Sequence, residues 1–250
     1  MKRAEAVLAA VLVLLGGRTR ADWLNVSGLA ADYSPGGHGK GGGVEWGHDF
    51  NPSALAHVGA FAFHAAGARW RFGRLGGIWK VSPSTRLQGR ADVGRGRFAD
   101  QAEFRYQIFA ASLSRVLHKT LEASVEDQYI LVGRARGHVL KVGASLTPRA
   151  DLMASLSFHR SLGGSVQARY VSGRADWLRP RFRLTAGFAD GRGRSDIRGL
   201  YETAATASDE IFAGLGVPQG GREFSFILSR LRVGDSRSYS LQLNYRLPLN

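Results

Sequence analysis

Apolar and polar residues alternate along most of the chain, and the C-terminal segment shows the pattern most clearly. Across residues 239–249 the odd positions are apolar or aromatic, and the even positions before Pro248 are polar. A period of two residues places the first set on one face of a β-strand and the second set on the other. A strand that crosses a bilayer needs about ten residues. The segment is therefore predicted to be an amphipathic, membrane-spanning strand.

The same alternation recurs upstream, between turns rich in glycine, proline and polar residues. Residues 22–33 are predicted to form the first strand and residues 35–43 a flexible glycine-rich loop. The alternation fails over residues 190–210, which we interpret as a long external loop. The pattern predicts an all-β fold, an antiparallel up-and-down transmembrane β-barrel of about 12 strands, within a range of about 10–14.

A membrane barrel accounts for the two faces of these strands better than a soluble barrel does. The polar faces carry arginine, lysine and glutamate, and the opposite faces are apolar on nearly every strand. If the apolar faces pointed inward, leucine, alanine and valine would not fill so wide a lumen. Turned outward, they form a belt in contact with lipid. Aromatic residues near strand ends are expected to form the girdles at the two interfaces: Trp46, Trp70, Trp79, Tyr129, Tyr170, Trp177, Tyr239 and Tyr245.

The first 21 residues have the features of a secretory signal peptide. Lys2 and Arg3 precede ten apolar residues, 6–15, a run too short to span a bilayer as a helix. Ala21 provides a small residue before a cleavage site that we place ahead of Asp22. The predicted domains are a signal peptide, 1–21, and a barrel, 22–250. An uncleaved membrane anchor is the alternative interpretation.

The chain is strongly basic and has no cysteine. It contains 34 Lys and Arg against 20 Asp and Glu, a formal net charge of +14, and four of the basic residues lie in the predicted signal peptide. Three interpretations remain open: attraction to phosphate groups of the outer leaflet, an arginine-rich proteome, or a lumen that favours anions. The lack of cysteine excludes disulfides and thiol chemistry.

The signal peptide, the alternating strands and the terminal segment YSLQLNYRLPLN together resemble bacterial outer-membrane β-barrel proteins, and among named groups the YaiO-type barrels. That class usually ends in an aromatic residue, which the barrel-assembly machinery recognises, whereas this chain ends in Leu249-Asn250. The resemblance implies a location in the outer membrane of a Gram-negative cell envelope. It also implies contact with outer-membrane lipid and lipopolysaccharide, and no nucleic-acid partner.

Basic residues on the polar faces are the candidates for binding. One hypothesis is a narrow, porin-like channel whose basic lumen favours anionic small solutes. A second is that arginine and glutamate pair across the lumen and plug it, leaving an envelope structural component. A third is a barrel that assists polysaccharide export or binds at the surface. The predicted lumen-lining residues are Arg86, Arg90, Arg105, Lys141, Arg169, Arg181 and Arg183.

Catalytic chemistry has one candidate, His159-Arg160-Ser161, which is similar to the His-x-Ser pair of barrel-type lipid-modifying hydrolases. Those families follow the serine with an asparagine-containing segment, whereas Leu162-Gly163-Gly164 follows here. The seven histidines show no metal-ligand spacing. Gly39-Lys40-Gly41 lacks the Ser or Thr of a phosphate-binding loop. We therefore predict no catalytic residue, no metal and no cofactor, and a protein that is not an enzyme.

Overall fold

The computed structural model describes residues 22–34, 37–65, 68–98, 103–194, 202–233 and 235–249. The predicted signal peptide lies outside this part of the chain. The described residues form one closed antiparallel barrel in which each strand pairs with its neighbours in sequence and the first strand pairs with the last. Among them, no helix has the length and hydrophobicity needed to cross a membrane.

The described residues contain 14 strands. They are β1 Asp22–Ser34, β2 Gly37–Asn51, β3 Ala54–Ala65, β4 Ala68–Ser82, β5 Thr85–Phe98, β6 Glu103–His118, β7 Leu121–Val132, β8 Ala135–Arg149, β9 Leu152–Gly164, β10 Arg169–Leu178, β11 Arg183–Arg194, β12 Glu202–Gln219, β13 Arg222–Val233 and β14 Ser236–Leu249. β1 begins and β14 ends at one end of the barrel, which we call the terminal end; the opposite end is the far end.

The fold class is confirmed, whereas the number of strands is 14 rather than about 12. Most of the predicted glycine-rich loop belongs to β2, and β11 and β12 extend through residues 190–194 and 202–210 of the predicted external loop. Residues 195–201 of that loop lie outside the described residues. The alternation is hidden in these segments because glycines occupy one face of β2, and because Asp190 and Asp209 occupy outward positions on β11 and β12.

The register of the strands shows which face of each strand points into the barrel. Residues of β14 with even numbers, such as Gln242, share the lumen with buried Ser229 of β13. The odd residues point outward, as the sequence predicted, and outward apolar side chains such as Val142, Leu156 and Leu228 are 50%, 55% and 55% exposed. An exposed apolar band around the whole barrel is the surface that contacts lipid.

The tryptophans and tyrosines divide between the two faces. Trp79 and Trp177 point outward near the terminal end, and Tyr129 and Tyr239 point outward nearer the far end. These positions suit interfacial girdles. Trp70 and Tyr170 instead face the lumen, the latter 3% exposed, which corrects their predicted place in the girdles.

Candidate functional site in the barrel lumen

Aromatic rings line one side of the lumen in its far half. Phe61 and Phe72 stack with their centroids 5.1 Å apart, Phe63 and Trp70 at 5.9 Å, and Phe72 and Tyr106 at 5.0 Å. Phe72 and Tyr106 are buried, 5% and 3% exposed. We call these five residues, which come from the three strands β3, β4 and β6, the aromatic cluster.

Glycines on the neighbouring strands make room for these rings. Gly41 and Gly43 of β2 lie opposite Phe63 and Phe61, and a Cβ atom on either glycine would overlap the facing ring. Gly94 of β5 lies between Phe72 and Tyr106 in the register. The rings therefore lie against a smooth backbone wall, which leaves their faces turned toward the interior.

Replacing Gly94 with alanine is expected to destabilise the barrel by about 1–3 kcal/mol. The new Cβ would overlap the carbonyl oxygen of Arg71 and lie 2.6 Å from Cα of Phe72, and backbone atoms cannot rotate away. Gly28→Ala is the matched control, since no atom lies within 4 Å of a Cβ at that position. Urea unfolding, monitored by tryptophan fluorescence, measures the free energy of unfolding of both variants and of wild type. If Gly94→Ala and Gly28→Ala were equally stable, this result would contradict the close packing of β4 against β5.

A second apolar cluster lies on the other side of the far half, on β7–β11. It includes Ile130, Val139 and Tyr170, which are 1%, 1% and 3% exposed. Val132 packs against this cluster and against Phe72, Tyr106 and Ile108. Val132 therefore joins the two clusters, which line part of the far half of the lumen with apolar side chains.

A buried ion pair forms the floor below the aromatic cluster. Nε and Nη2 of Arg74 donate to the two carboxylate oxygens of Asp92 at 2.7 and 3.0 Å, and Asp92 is 0% exposed. Arg90 approaches the same carboxylate at 3.6 Å. The guanidinium of Arg74 also lies 4.9 Å from the Phe61 ring centroid, so it joins the charged centre to the aromatic cluster.

Further ion pairs continue through the lumen toward the terminal end. Nδ1 of His57 lies 2.6 Å from Oε1 of Glu45. Nη2 of Arg174 donates to Oδ1 of Asp176 at 2.7 Å, and Oγ1 of Thr185 donates to the same oxygen at 2.6 Å. A cavity of about 200 Å³ lies between β4 and β8 beside these charges. Its lining includes Arg86, Glu122, Glu126 and Lys141.

Four of the seven predicted basic residues face the lumen, and each lies near a carboxylate. Arg90 approaches Asp92 as described. The other three pairs are Arg86 with Glu122 at 2.6 Å, Lys141 with Glu126 at 3.8 Å and Arg183 with Glu223 at 3.2 Å. This arrangement matches the hypothesis of paired charges more closely than that of an uncompensated basic lining.

The other three predicted residues do not face the lumen. Arg105 and Arg169 are exposed on the outer face, opposite Arg95 and Arg192 in the register, and Arg181 lies in the exposed turn between β10 and β11. The lumen position predicted for Arg105 and Arg169 was wrong because apolar side chains turn inward in the far half, and that predicted for Arg181 was wrong because this residue lies in a turn at the terminal end. On β6, Tyr106 and Ile108 are buried in the lumen, and Arg105, which precedes Tyr106, points outward.

Sequence reasoning missed Arg74, and it did not assign the aromatic cluster to the lumen. The signal was present on β4, where Trp70, Phe72 and Arg74 are in phase and Arg69 and Arg71 occupy the other face. The shared phase shows that Trp70, Phe72 and Arg74 lie on one face of β4.

His159 faces the lumen, and its hydrogen-bond partner is Ser172 rather than Ser161 of the candidate His-x-Ser pair. Its Nε2 lies 3.0 Å from Oγ of Ser172, and its ring stacks on Tyr170 with centroids 4.0 Å apart. Within the part of the chain that the structure describes, Nδ1 of His159 has no hydrogen-bond partner, so no carboxylate orients the ring as in a catalytic triad. The described residues also contain no group of three or more side chains suited to a metal ion.

Comparison with solved structures identifies the class of fold. The chain is similar to the CymD monoaromatic hydrocarbon channel, with a TM-score of 0.68, 9% identity, and coverage of 93% of this chain and 90% of that one. It is similar to the Ralstonia pickettii toluene transporter TbuX, with a TM-score of 0.63, 9% identity, and coverage of 94% and 91%. A complex of the KdgM porin matches with a TM-score of 0.51, 8% identity, and coverage of 88% and 98%.

No family model matches the chain, and no curated protein matches its sequence. The chain has the fold of bacterial outer-membrane β-barrel channels, so that predicted resemblance is confirmed, whereas the YaiO-type resemblance is not. The neighbours support the predicted location in the outer membrane. Their names describe channels, a transporter and a porin.

Proposed function

We propose that the protein is a narrow outer-membrane channel that admits small, uncharged, apolar molecules, aromatic ones above all, and holds back ions. The aromatic cluster carries this proposal, because its three partly exposed rings, Phe61, Phe63 and Trp70, lie on a glycine wall and form a surface suited to stacking on a flat apolar solute. The far end, opposite both termini, faces the cell exterior in this proposal.

The names of two neighbours support this choice of solute. CymD is a monoaromatic hydrocarbon channel and TbuX a toluene transporter, and each aligns with more than nine-tenths of this chain. The low identity means that the solute of this chain must be argued from its own lumen. The two apolar clusters of the far half favour an apolar solute.

The lumenal charges support a channel closed to ions more than an anion-selective pore. Arg86, Lys141 and Arg183 each lie within 4 Å of a carboxylate, and Asp92 is fully buried between two arginines. A lining of compensated charges offers little net attraction to anions. We therefore expect no stepwise conductance from the reconstituted protein in a planar bilayer. Anion-selective openings reduced by neutralising Arg86 and Arg183 would instead support the basic pore.

Binding of small probes tests the solute class directly. We expect the protein in detergent to bind benzyl alcohol more tightly than benzoate, measured by saturation-transfer NMR. Phe61→Leu with Phe63→Leu removes two rings and keeps the apolar volume. This change should weaken benzyl alcohol binding by about five- to tenfold, because an aromatic pair contributes about 0.5–1.5 kcal/mol beyond its area.

The matched control is Phe158→Leu with Phe188→Leu, which removes two rings from the outer face, each 43% exposed. This control should leave benzyl alcohol binding unchanged. Equal weakening by both double variants would mean that the probe binds the lipid-facing belt. Tighter binding of benzoate would favour the anion channel.

A further inference from the structure

Five arginines form a compact patch on the outside of the barrel, at the far end of β4, β5 and β6. In the register, Arg69 lies opposite Arg97, Arg71 opposite Arg95, and Arg95 opposite Arg105. All five side chains are exposed. We call them the outer arginine patch.

The outer arginine patch carries positive charge with little compensation. Like charges directly opposite on neighbouring strands destabilise a sheet. Within the described residues, the ion pair of the patch is that of Arg95 with Glu103 at 3.6 Å, and its side chains are 71% and 60% exposed. Lys40 and His64 extend the row, since Lys40 lies opposite His64 and His64 opposite Arg69. A bound anion would relieve the repulsion among these side chains.

The outer arginine patch lies directly beyond the lipid-facing belt. On β5, outward Ala91 and Val93 belong to the belt, and the next two outward residues are Arg95 and Arg97. Each outward step along a strand is about 7 Å, so both guanidinium groups are at the level of lipid headgroups. A pocket of about 670 Å³ at the far end is lined by outward Lys40, Arg69, Arg71, Arg95 and Arg97 and by Glu103, and it also reaches Phe63 and Trp70 of the aromatic cluster.

We propose that the outer arginine patch binds the phosphate groups of an outer-leaflet glycolipid, the phosphorylated sugar of lipopolysaccharide. Guanidinium groups bind phosphate through paired, charge-assisted hydrogen bonds, and facing rows of arginines enclose such a group from two sides. The acyl chains of the same molecule would lie on the apolar belt below. A similar row, Arg160, Arg169 and Arg192, crosses β9–β11 at the far end.

Native mass spectrometry of the folded barrel with added lipid A tests the proposal. Arg71→Gln, Arg95→Gln and Arg97→Gln are combined in one variant. The control combines Arg115→Gln, Arg149→Gln and Arg222→Gln, which removes the same charge from exposed arginines toward the terminal end. We expect the patch variant to bind diphosphoryl lipid A at least about tenfold more weakly, and the control to change it less than about twofold.

Two further probes separate the sources of phosphate. Lipid A without its phosphates should bind wild type and patch variant equally, and inorganic phosphate alone should bind far more weakly than diphosphoryl lipid A. Equal losses in both triple variants, or undiminished binding of dephosphorylated lipid A to wild type, would overturn the proposal. Heat-dependent gel mobility verifies folding of each variant. If the glutamine variant does not fold, Arg71→Lys with Arg95→Lys keeps the charge and should still weaken binding by removing the paired donors.

Discussion

Replacing Asp92 with asparagine is expected to lower the free energy of unfolding by about 3–5 kcal/mol. The Asp92 carboxylate is fully buried and accepts two hydrogen bonds from Arg74. Asparagine keeps the shape and removes the charge, so Arg74 and Arg90 would lose the carboxylate that lies between them. Removing one partner of a buried ion pair costs this much because the remaining charge is left uncompensated. Urea unfolding of the folded barrel, followed by tryptophan fluorescence, measures the difference.

Asp209→Asn provides the matched control for Asp92→Asn. Asp209 also lies near two arginines, Arg230 at 3.5 Å and Arg232 at 2.7 Å, but these arginines are about half-exposed on the outer face. A pair that water can reach contributes about 0–1 kcal/mol. Equal losses at the two sites would show that water reaches Asp92, contrary to a lumen closed to ions. If the centre opens, Asp92→Asn should also produce anion-selective conductance that wild type lacks.

The sequence predicted the fold class and the outward face of the last strand because both depend on local alternation. Apolar and polar residues alternate over 239–249, in a strand that faces lipid on one side and a polar lumen on the other. The polarity of each residue therefore shows which face it lies on. The strand number was less predictable. The first half of β2 is rich in glycine. On β11 the outward Asp190 and Arg192 flank Gly191, and on β12 polar Ser208 and Asp209 lie on opposite faces. In those segments hydrophobicity no longer distinguishes the faces.

The candidate site could be predicted only in part, for a reason that lies in the far half of the barrel. The sequence rule assigned apolar faces to lipid and charged faces to the lumen. This holds for Arg86 and Arg183 near the terminal end. It reverses on β6, where Tyr106 faces the lumen and Arg105 the outside. The period of two fixes which residues share a face, whereas long-range packing decides which face is inside.

The same reversal accounts for where the excess positive charge lies. The lumenal basic residues Arg74, Arg86, Lys141 and Arg183 have carboxylate partners. The outer arginine patch holds five arginines beside one glutamate. Of the three interpretations of the net charge, attraction to outer-leaflet phosphate therefore agrees best with this distribution, and an anion-favouring lumen agrees least.

Replacing Leu156 with arginine is expected to destabilise the barrel in a lipid bilayer by about 2–4 kcal/mol. Leu156 lies four residues inside the terminal end of β9, points outward and is 55% exposed, so on a water-facing surface an arginine would be tolerated there. In the belt, its charge must leave water for hydrocarbon. The measurement is reversible urea unfolding in phospholipid vesicles.

Leu162→Arg is the control for Leu156→Arg because it differs mainly in depth. Leu162 lies on the same outward face of β9, is 60% exposed, and comes after Arg160 at the far end. A charge near the interface costs about 0–1 kcal/mol. A large loss of unfolding free energy for Leu156→Arg and a small loss for Leu162→Arg would show that Leu156 lies within the lipid-facing belt and Leu162 at its edge. Two small losses would mean that water, not lipid, surrounds β9 at Leu156, and would contradict the membrane-spanning barrel on which both the channel and the glycolipid site depend.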